Sequence, residues 1–258
     1  MTPGVRRRVF LVAAIGMAAL LLWGVAGLPA SGDYHGVYGT LLNRVAVGER
    51  HATNVVAAVT FDYRGFDTMG EEFILFAAVI GVAILLRAQR DEVEEEPDED
   101  AGDRVAPATS SAVRVLGLTL LGPIVLYGIY VVAHGHLTPG GGFQGGVILA
   151  TGALLVFLSG EYVTLRRVSP EALLDVSEAS GAGGYIAVGI FGLLTGGVFL
   201  ANTLPLGQPG TLLSAGMIPL INVAVGLEVA GGLVLLLYEF LDQTLVVRRR
   251  MGTPGGSR

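Results

Sequence analysis

The chain has no cysteine, so neither a disulfide nor a thiolate metal site is available to it. Lysine is absent as well: all 16 basic residues are arginine, which reads as a codon bias toward Arg, Gly and Ala. Charge of either sign is scarce, at 15% of residues, where soluble domains carry about 25%. No Walker A sequence, no H-E-x-x-H and no G-x-S-x-G occurs. The polar stretches are too short to build a core of their own. A stand-alone soluble enzyme is therefore excluded, and no cofactor motif is present. The net charge of −6 comes largely from one acidic run, so it implies no nucleic-acid partner.

What the chain has in quantity is apolar sequence: 52% hydrophobic residues and a mean hydropathy of +0.64. The expectation is an all-α polytopic membrane protein of about six transmembrane helices. The apolar runs are Val9–Leu28, Thr68–Leu86, Val113–Ala133, Phe143–Ser159, Gly184–Leu200 and Met217–Leu241. A run of about twenty residues makes ~30 Å of helix, enough to cross the hydrocarbon core. Arg6-Arg7-Arg8 precede the first run. A cleaved signal peptide competes there, but its apolar region would be only about 7–15 residues long. A retained helix is expected.

Between the spans, Pro29–Asp67 is polar and mixed, with an interfacial helix expected near Val55–Val59. Arg90–Arg104 is an acidic run of Asp and Glu that repels itself and has little to bury, and so reads as a disordered tether. Glu161–Gly183 reads as amphipathic and loop-like. Pro205, Pro209 and several glycines mark a short turn before the last span, and the end from Arg248 reads as flexible. Arginine asymmetry orients the bundle: with the N-terminus cytoplasmic, only Arg44, Arg50 and Arg64 fall outside. Both termini are then cytoplasmic, and the turn between the third and fourth spans faces outward.

That turn is His134-Gly135-His136-Leu137-Thr138-Pro139-Gly140-Gly141-Gly142-Phe143-Gln144-Gly145-Gly146. Pro139 fixes φ and the residue before it avoids the α region, so the third helix should stop by Leu137 or Thr138. Gly140–Gly142 can take φ > 0. Three roles are open to the glycines: an anion cradle of N–H groups, carbonyls for a cation, or close packing at a helix or subunit contact. His134 and His136 are candidates for proton handling, or an interfacial polar cap. A metal site is not evident, since no third ligand stands beside them.

Five acidic residues need an explanation. Glu228 lies near the centre of the sixth span, where a carboxylate costs from about 2.5 kcal/mol upward unless paired, hydrated or protonated. A proton or cation relay, a contact to a neighbouring subunit, and snorkelling to the lipid edge are the readings. Asn222 lies in the same span, and Gly231 and Gly232 share the Glu228 face. Asp67 and Glu71 share a face at the start of the second span, which suits proton exchange, although Thr68-x-x-Glu71 is also a capping box. Glu72 points about 100° away from Glu71. Asp62 and Arg64, just upstream, are a candidate ion pair or charged entrance.

His136–Gly146 resembles the loop that marks the B subunit of Mrp-type multisubunit Na⁺/H⁺ antiporters, and the likeness extends over about Val113–Leu245. Asp62-Tyr63-Arg64-Gly65-Phe66-Asp67-Thr68-Met69-Gly70-Glu71 is similar to the last membrane segment of the A subunit of the same antiporters, and to the matching small subunit of membrane-bound hydrogenases. The chain therefore resembles a fusion. Residues 1–90 form the A-like two-helix segment, 91–112 the acidic linker, 113–247 the B-like four-helix segment and 248–258 the basic tail. The resemblance implies a subunit of a Na⁺/H⁺ antiporter in the cytoplasmic membrane. Its partners are other membrane subunits of that complex, with Na⁺ and H⁺ as transported ions. It places Asp67 and Glu71 nearest the ion path. The alternative host is a hydrogenase or respiratory ion-pumping complex.

Overall fold

A computed structural model of the chain describes residues 3–28, 36–86 and 109–252. The described residues contain helices and no strand. These are α1 (Pro3–Ala26), α2 (Val37–Arg50), α3 (Val55–Ala58), a π-turn (Val59–Tyr63), α4 (Gly65–Leu86), α5 (Ser111–Ala133), α6 (Gly142–Val168), α7 (Glu171–Gly196) and α8 (Ile218–Gly252). Six helices are long and apolar enough to cross a membrane: α1, α4, α5, α6, α7 and α8. The acidic run Arg90–Arg104 lies wholly outside the described residues.

Contacts divide the chain into Met1–Leu41 and Leu42–Arg258. The first unit holds α1, in which no residue of the spanning window is buried. The second holds the rest. There α5 packs chiefly on α6 and α7 on α8, while α8 also packs on α6 and α4. The central helix is α8: 61% of its spanning window is buried, against 39% for α6, the next highest. Its 35 residues extend for about 52 Å at 1.5 Å per residue, well beyond a bilayer core.

Small residues let α8 serve all its neighbours. Gly142 and Gly146 of α6 lie against Val225 and Val229 of α8, and a Cβ built at either would meet those side chains at 2.8 Å. Gly181 of α7 abuts the backbone of Glu228 in the same way. Close backbone approach of this kind is how membrane helices gain packing where lipid offers no hydrophobic driving force. Ser177 Oγ donates to Leu227 O at 2.9 Å, and Tyr238 OH donates to Ser169 O at 2.5 Å, tying α8 to α7 and to the α6–α7 turn.

Two boundaries differ from the sequence reading. Glu161–Gly183 is not a loop: α6 continues to Val168 and α7 begins at Glu171, with Pro170 as its N-cap residue. Glu, Asp, Ser and Gly lower the hydropathy of that stretch, but Leu174, Glu178, Gly181, Ala182 and Tyr185 recur at helical spacing and are buried. The fifth span thus ends at Gly196, and the connection to α8 is not a short turn. Backbone of α8 is helical to Gly252, past Arg248 where a flexible tail was expected; arginine is a good helix former.

Candidate functional site

One end of the second unit gathers the α2–α3 connection, the start of α4, the α5–α6 turn and the α7–α8 connection. Polar groups converge there. Arg50 Nε sits 2.9 Å from Asp62 Oδ1, and its guanidinium lies 4.8 Å from the centre of the Tyr63 ring. Asn202 Nδ2 donates to Asp62 Oδ2 at 2.8 Å, and its Oδ1 accepts from Met217 N at 2.9 Å. Tyr63 OH donates to Glu49 Oε2 at 2.6 Å. Arg64 Nε donates to Asp67 Oδ2 at 2.5 Å. The sequence had suggested an Asp62–Arg64 pair. The π-turn ends at Tyr63 and α4 restarts at Gly65, so Arg64 reaches forward to Asp67 and Asp62 is left to Arg50.

Arg50, Asp62, Tyr63, Arg64, Asp67 and Asn202 line a cleft of about 680 Å³. Burial raises the Asp62 carboxyl above its usual 3.8, against the opposing effects of Asn202 and Arg50. Burial, then the hydrogen bond to Glu49, pushes the Tyr63 phenol up to about 12.

The acids of α4 separate by face. Asp67 and Glu71 are exposed within this chain, whereas Glu72 is 4% exposed and faces inward. Thr68 does not cap the helix, which starts three residues earlier, at Gly65. Its hydroxyl donates to Thr60 O at 2.6 Å, so the capping-box reading of Thr68 and Glu71 does not hold. Glu228 is 1% exposed, and neither of its carboxyl oxygens has a hydrogen-bond partner. Glu178, on α7, is 6% exposed with an unpartnered Oε1. The sequence reading missed it by taking that stretch for loop. The stripe Gly181, Tyr185, Gly189 and Gly192, one helical turn apart and mostly glycine, was the signal that would have put it on a buried face.

The glycine turn is held from both sides. Gly140 and Gly141 take φ of 129° and 145°, the region that only glycine adopts readily. Asn54 Nδ2 donates to Gly135 O at 2.8 Å and to Thr138 O at 2.9 Å, Asn54 N donates to His136 O at 3.1 Å, and Thr53 Oγ1 donates to Leu137 O at 2.7 Å. Gly142 N donates to Asn222 Oδ1 at 2.8 Å. Four successive carbonyls and the first helical N–H are thus already engaged by protein. Among the Gly140–Gly142 groups, the Gly142 N–H is thereby withdrawn from any anion cradle. Gly145 abuts Val132 and Gly128 O of α5, and Gly146 abuts Val229 of α8. Pro139, Phe143 and Gln144 face outward.

The two histidines part company. His134 stacks on Tyr130 with centroids 4.1 Å apart. His136 is 1% exposed, and burial lowers its ring below the ordinary 6.5. Among the described residues no three of His, Asp or Glu converge as a metal-ion cluster.

Comparison with known proteins gives this geometry its setting. Residues 112–235 match the domain related to the MnhB subunit of Na⁺/H⁺ antiporters, and residues 6–99 match the E subunit of MBH. The chain is 32% identical over 212 residues to the uncharacterized protein MJ1307 of Methanocaldococcus jannaschii, covering 74% of this chain and 78% of that one. A chain of the membrane-bound sulfane sulfur reductase, an archaeal respiratory membrane complex, superposes with a TM-score of 0.70 at 32% identity, over 93% of this chain and 98% of that one. A chain of the Mrp complex from Dietzia sp. DQ12-45-1b superposes with a TM-score of 0.69 at 25% identity, over 91% of this chain but 26% of that one.

Proposed function

Because this chain belongs to the family of MJ1307, and joins a segment matching the MBH E subunit to an MnhB-related antiporter domain, we propose that it is a subunit of a multisubunit monovalent cation (Na⁺)/H⁺ antiporter. It works in the cell membrane as a multi-pass protein, with both termini cytoplasmic, and helps to form or gate the ion path. It is not itself an enzyme, and its partners are the other membrane subunits. The observation that carries this reading is the adjacency of the two family segments. From Leu42 onward the first segment shares one unit with the second and packs on it through Asn54 and the glycine turn, which supports one route for both. The Arg50–Asp62 cleft with Arg64 and Asp67 is the polar entrance at the outer end. Glu72 is the acid that leads inward, and Glu71 faces a neighbouring subunit.

The test is deletion of this chain, followed by return of the wild type, Glu71→Gln or Glu72→Gln, with Na⁺-dependent growth and Na⁺/H⁺ exchange in inverted vesicles as readouts. Deletion should abolish exchange. Glu72→Gln should lower it at least about a hundredfold in an assembled complex, the lower end of what one positioned proton-transfer group contributes. Full antiport by assembled Glu71→Gln removes Glu71 from the route. Full antiport by assembled Glu72→Gln defeats the inward path.

The full-length likeness to a chain of a respiratory membrane complex favours a second host. Co-purification with redox subunits, together with ion pumping that depends on electron flow, would select it.

A further inference from the structure

We propose that Glu72, Glu228 and Glu178 form a proton-only file across the α4–α8–α7 interface, joining the Arg50–Asp62 cleft to Asp175 near the start of α7. This deepens the antiporter reading and rests on it only for the choice of complex.

The geometry of the file comes from reciprocal pairing of glutamate with glycine. On α7, Gly181 lies against the backbone and Cβ of Glu228. On α8, Gly231 lies against the backbone of Glu178, and a Cβ at Gly232 would sit 3.2 Å from Glu178 Oε1 and 3.1 Å from Val79 of α4. The glycines let the two backbones and the glutamate Cβ atoms approach, and the Glu178 carboxyl occupies space that Gly232 leaves by having no side chain. The Glu178 carboxyl lies over Gly232, four residues beyond Glu228, which is a rise of about 6 Å. One bridging water or a side-chain rotation closes such a gap.

Glu72 and Val79 are both buried on α4, two turns apart, so they face the same interface. Glu72 is five residues, or ~7.5 Å of rise, below Asp67 at the cleft. Glu178 is three residues, or ~4.5 Å, from Asp175 at the other end. The three acids thus descend through the bundle in the order Glu72, Glu228, Glu178.

All three are more than nine-tenths buried, and Glu72 Oε2, Glu178 Oε1 and both oxygens of Glu228 have no hydrogen-bond partner. The charged groups that act on Glu228 are Glu72 from α4 and Glu178 from α7; Glu71 acts on Glu72, and Asp175 on Glu178. Every one is an acid, so no ion pair accounts for the file. The ion that fits is the proton. A metal cation needs several oxygens converging on one point, and among the described residues these groups do not so converge. A proton needs one carboxyl. Each hop moves one proton from a carboxylic acid to the next carboxylate, leaving the donor ionised and the acceptor neutral, so the charge of the file is unchanged.

The experiment uses the native complex in its membranes and dicyclohexylcarbodiimide, which adds covalently to carboxyls that hold a proton in an apolar setting. Peptide mass spectrometry should show Glu228 modified, more at mildly acidic than at alkaline pH, and unchanged when Na⁺ or K⁺ is added. Protection by Na⁺ or K⁺ would make Glu228 a cation ligand and overturn the proposal. So would absence of modification at every pH. In an assembled Glu228→Gln complex, proton flux into proteoliposomes should fall at least about a hundredfold; full flux overturns the file. Labelling does not require exchange. Cation exchange alongside an unreactive Glu228 therefore defeats the file and leaves the antiporter reading standing. A reactive, Na⁺-indifferent Glu228 in a complex that exchanges no cation does the reverse.

Discussion

Replacing Asn54 tests how the two family segments are locked together. Its side chain does two things at once. Oδ1 caps α3 by accepting from Val56 N at 3.1 Å and Ala57 N at 3.4 Å, and Nδ2 donates to Gly135 O and Thr138 O. Loss of an N-cap costs about 1 kcal/mol. Loss of two part-buried donor bonds costs about 1 kcal/mol each. Asn54→Ala should therefore weaken the clamp by ~3 kcal/mol, or about a hundredfold in the local opening equilibrium. Asn54→Asp separates the parts. It keeps the cap but turns a carboxylate oxygen toward two carbonyls, so nearly all of the ~2 kcal/mol held by the donor bonds is lost. Hydrogen–deuterium exchange of the assembled complex reads the result directly. Leu137 N and Thr138 N, which donate to His134 O, sit inside the turn and report its opening. Asn54→Ala should speed their exchange about a hundredfold, and Asn54→Asp somewhat less. Unchanged protection in both variants would show that the turn is rigid without Asn54, and the clamp argument would fail.

Two further outcomes are expected. In Gly142→Val the new Cβ would press on Asn222 O and lie 2.8 Å from Val225 Cβ and 3.0 Å from Gly226 N. Backbone cannot yield as a side chain can, so the complex should be missing from native gels before any change in transport is measurable, while Gly70→Ala, with nothing within 4 Å, assembles normally. A Gly142→Val complex that assembles but transports differently would return the turn to the ion path. The lowered His136 pKa sets a pH dependence. Once the turn opens, the ring regains its usual 6.5 and binds a proton that the closed form resists. Closure is fully favoured above about pH 6.5 and weakens as pH falls toward the depressed value. Exchange of the turn, corrected for its intrinsic pH dependence, should quicken on acidification and lose that trend in His136→Leu; an identical trend in the variant refutes the assignment.

Helix count, the glycine turn and the family likeness were legible in the chain itself. The physical reason is that a helix must present about twenty apolar residues to lipid whatever surrounds it, and that Pro139 followed by three glycines restricts the backbone locally. The span from Gly184 was misplaced because hydropathy counts Glu171, Asp175 and Glu178 as polar wherever they point. Hydropathy has no term for a polar group sheltered by its neighbours. Likewise, helical periodicity put Glu71 and Glu72 on different faces but said nothing about which face meets α8.

Those decisions belong to packing. Only the tertiary structure turned Glu72 inward, left Glu71 at the surface, seated Glu178 in the groove of Gly231 and Gly232, and brought Asn54 of one family segment onto the carbonyls of the other. A sequence determines which stretches enter the membrane, because that is a transfer free energy summed along one helix. It does not by itself determine which buried carboxyls become neighbours, because that depends on where glycines on separate helices allow two backbones to approach.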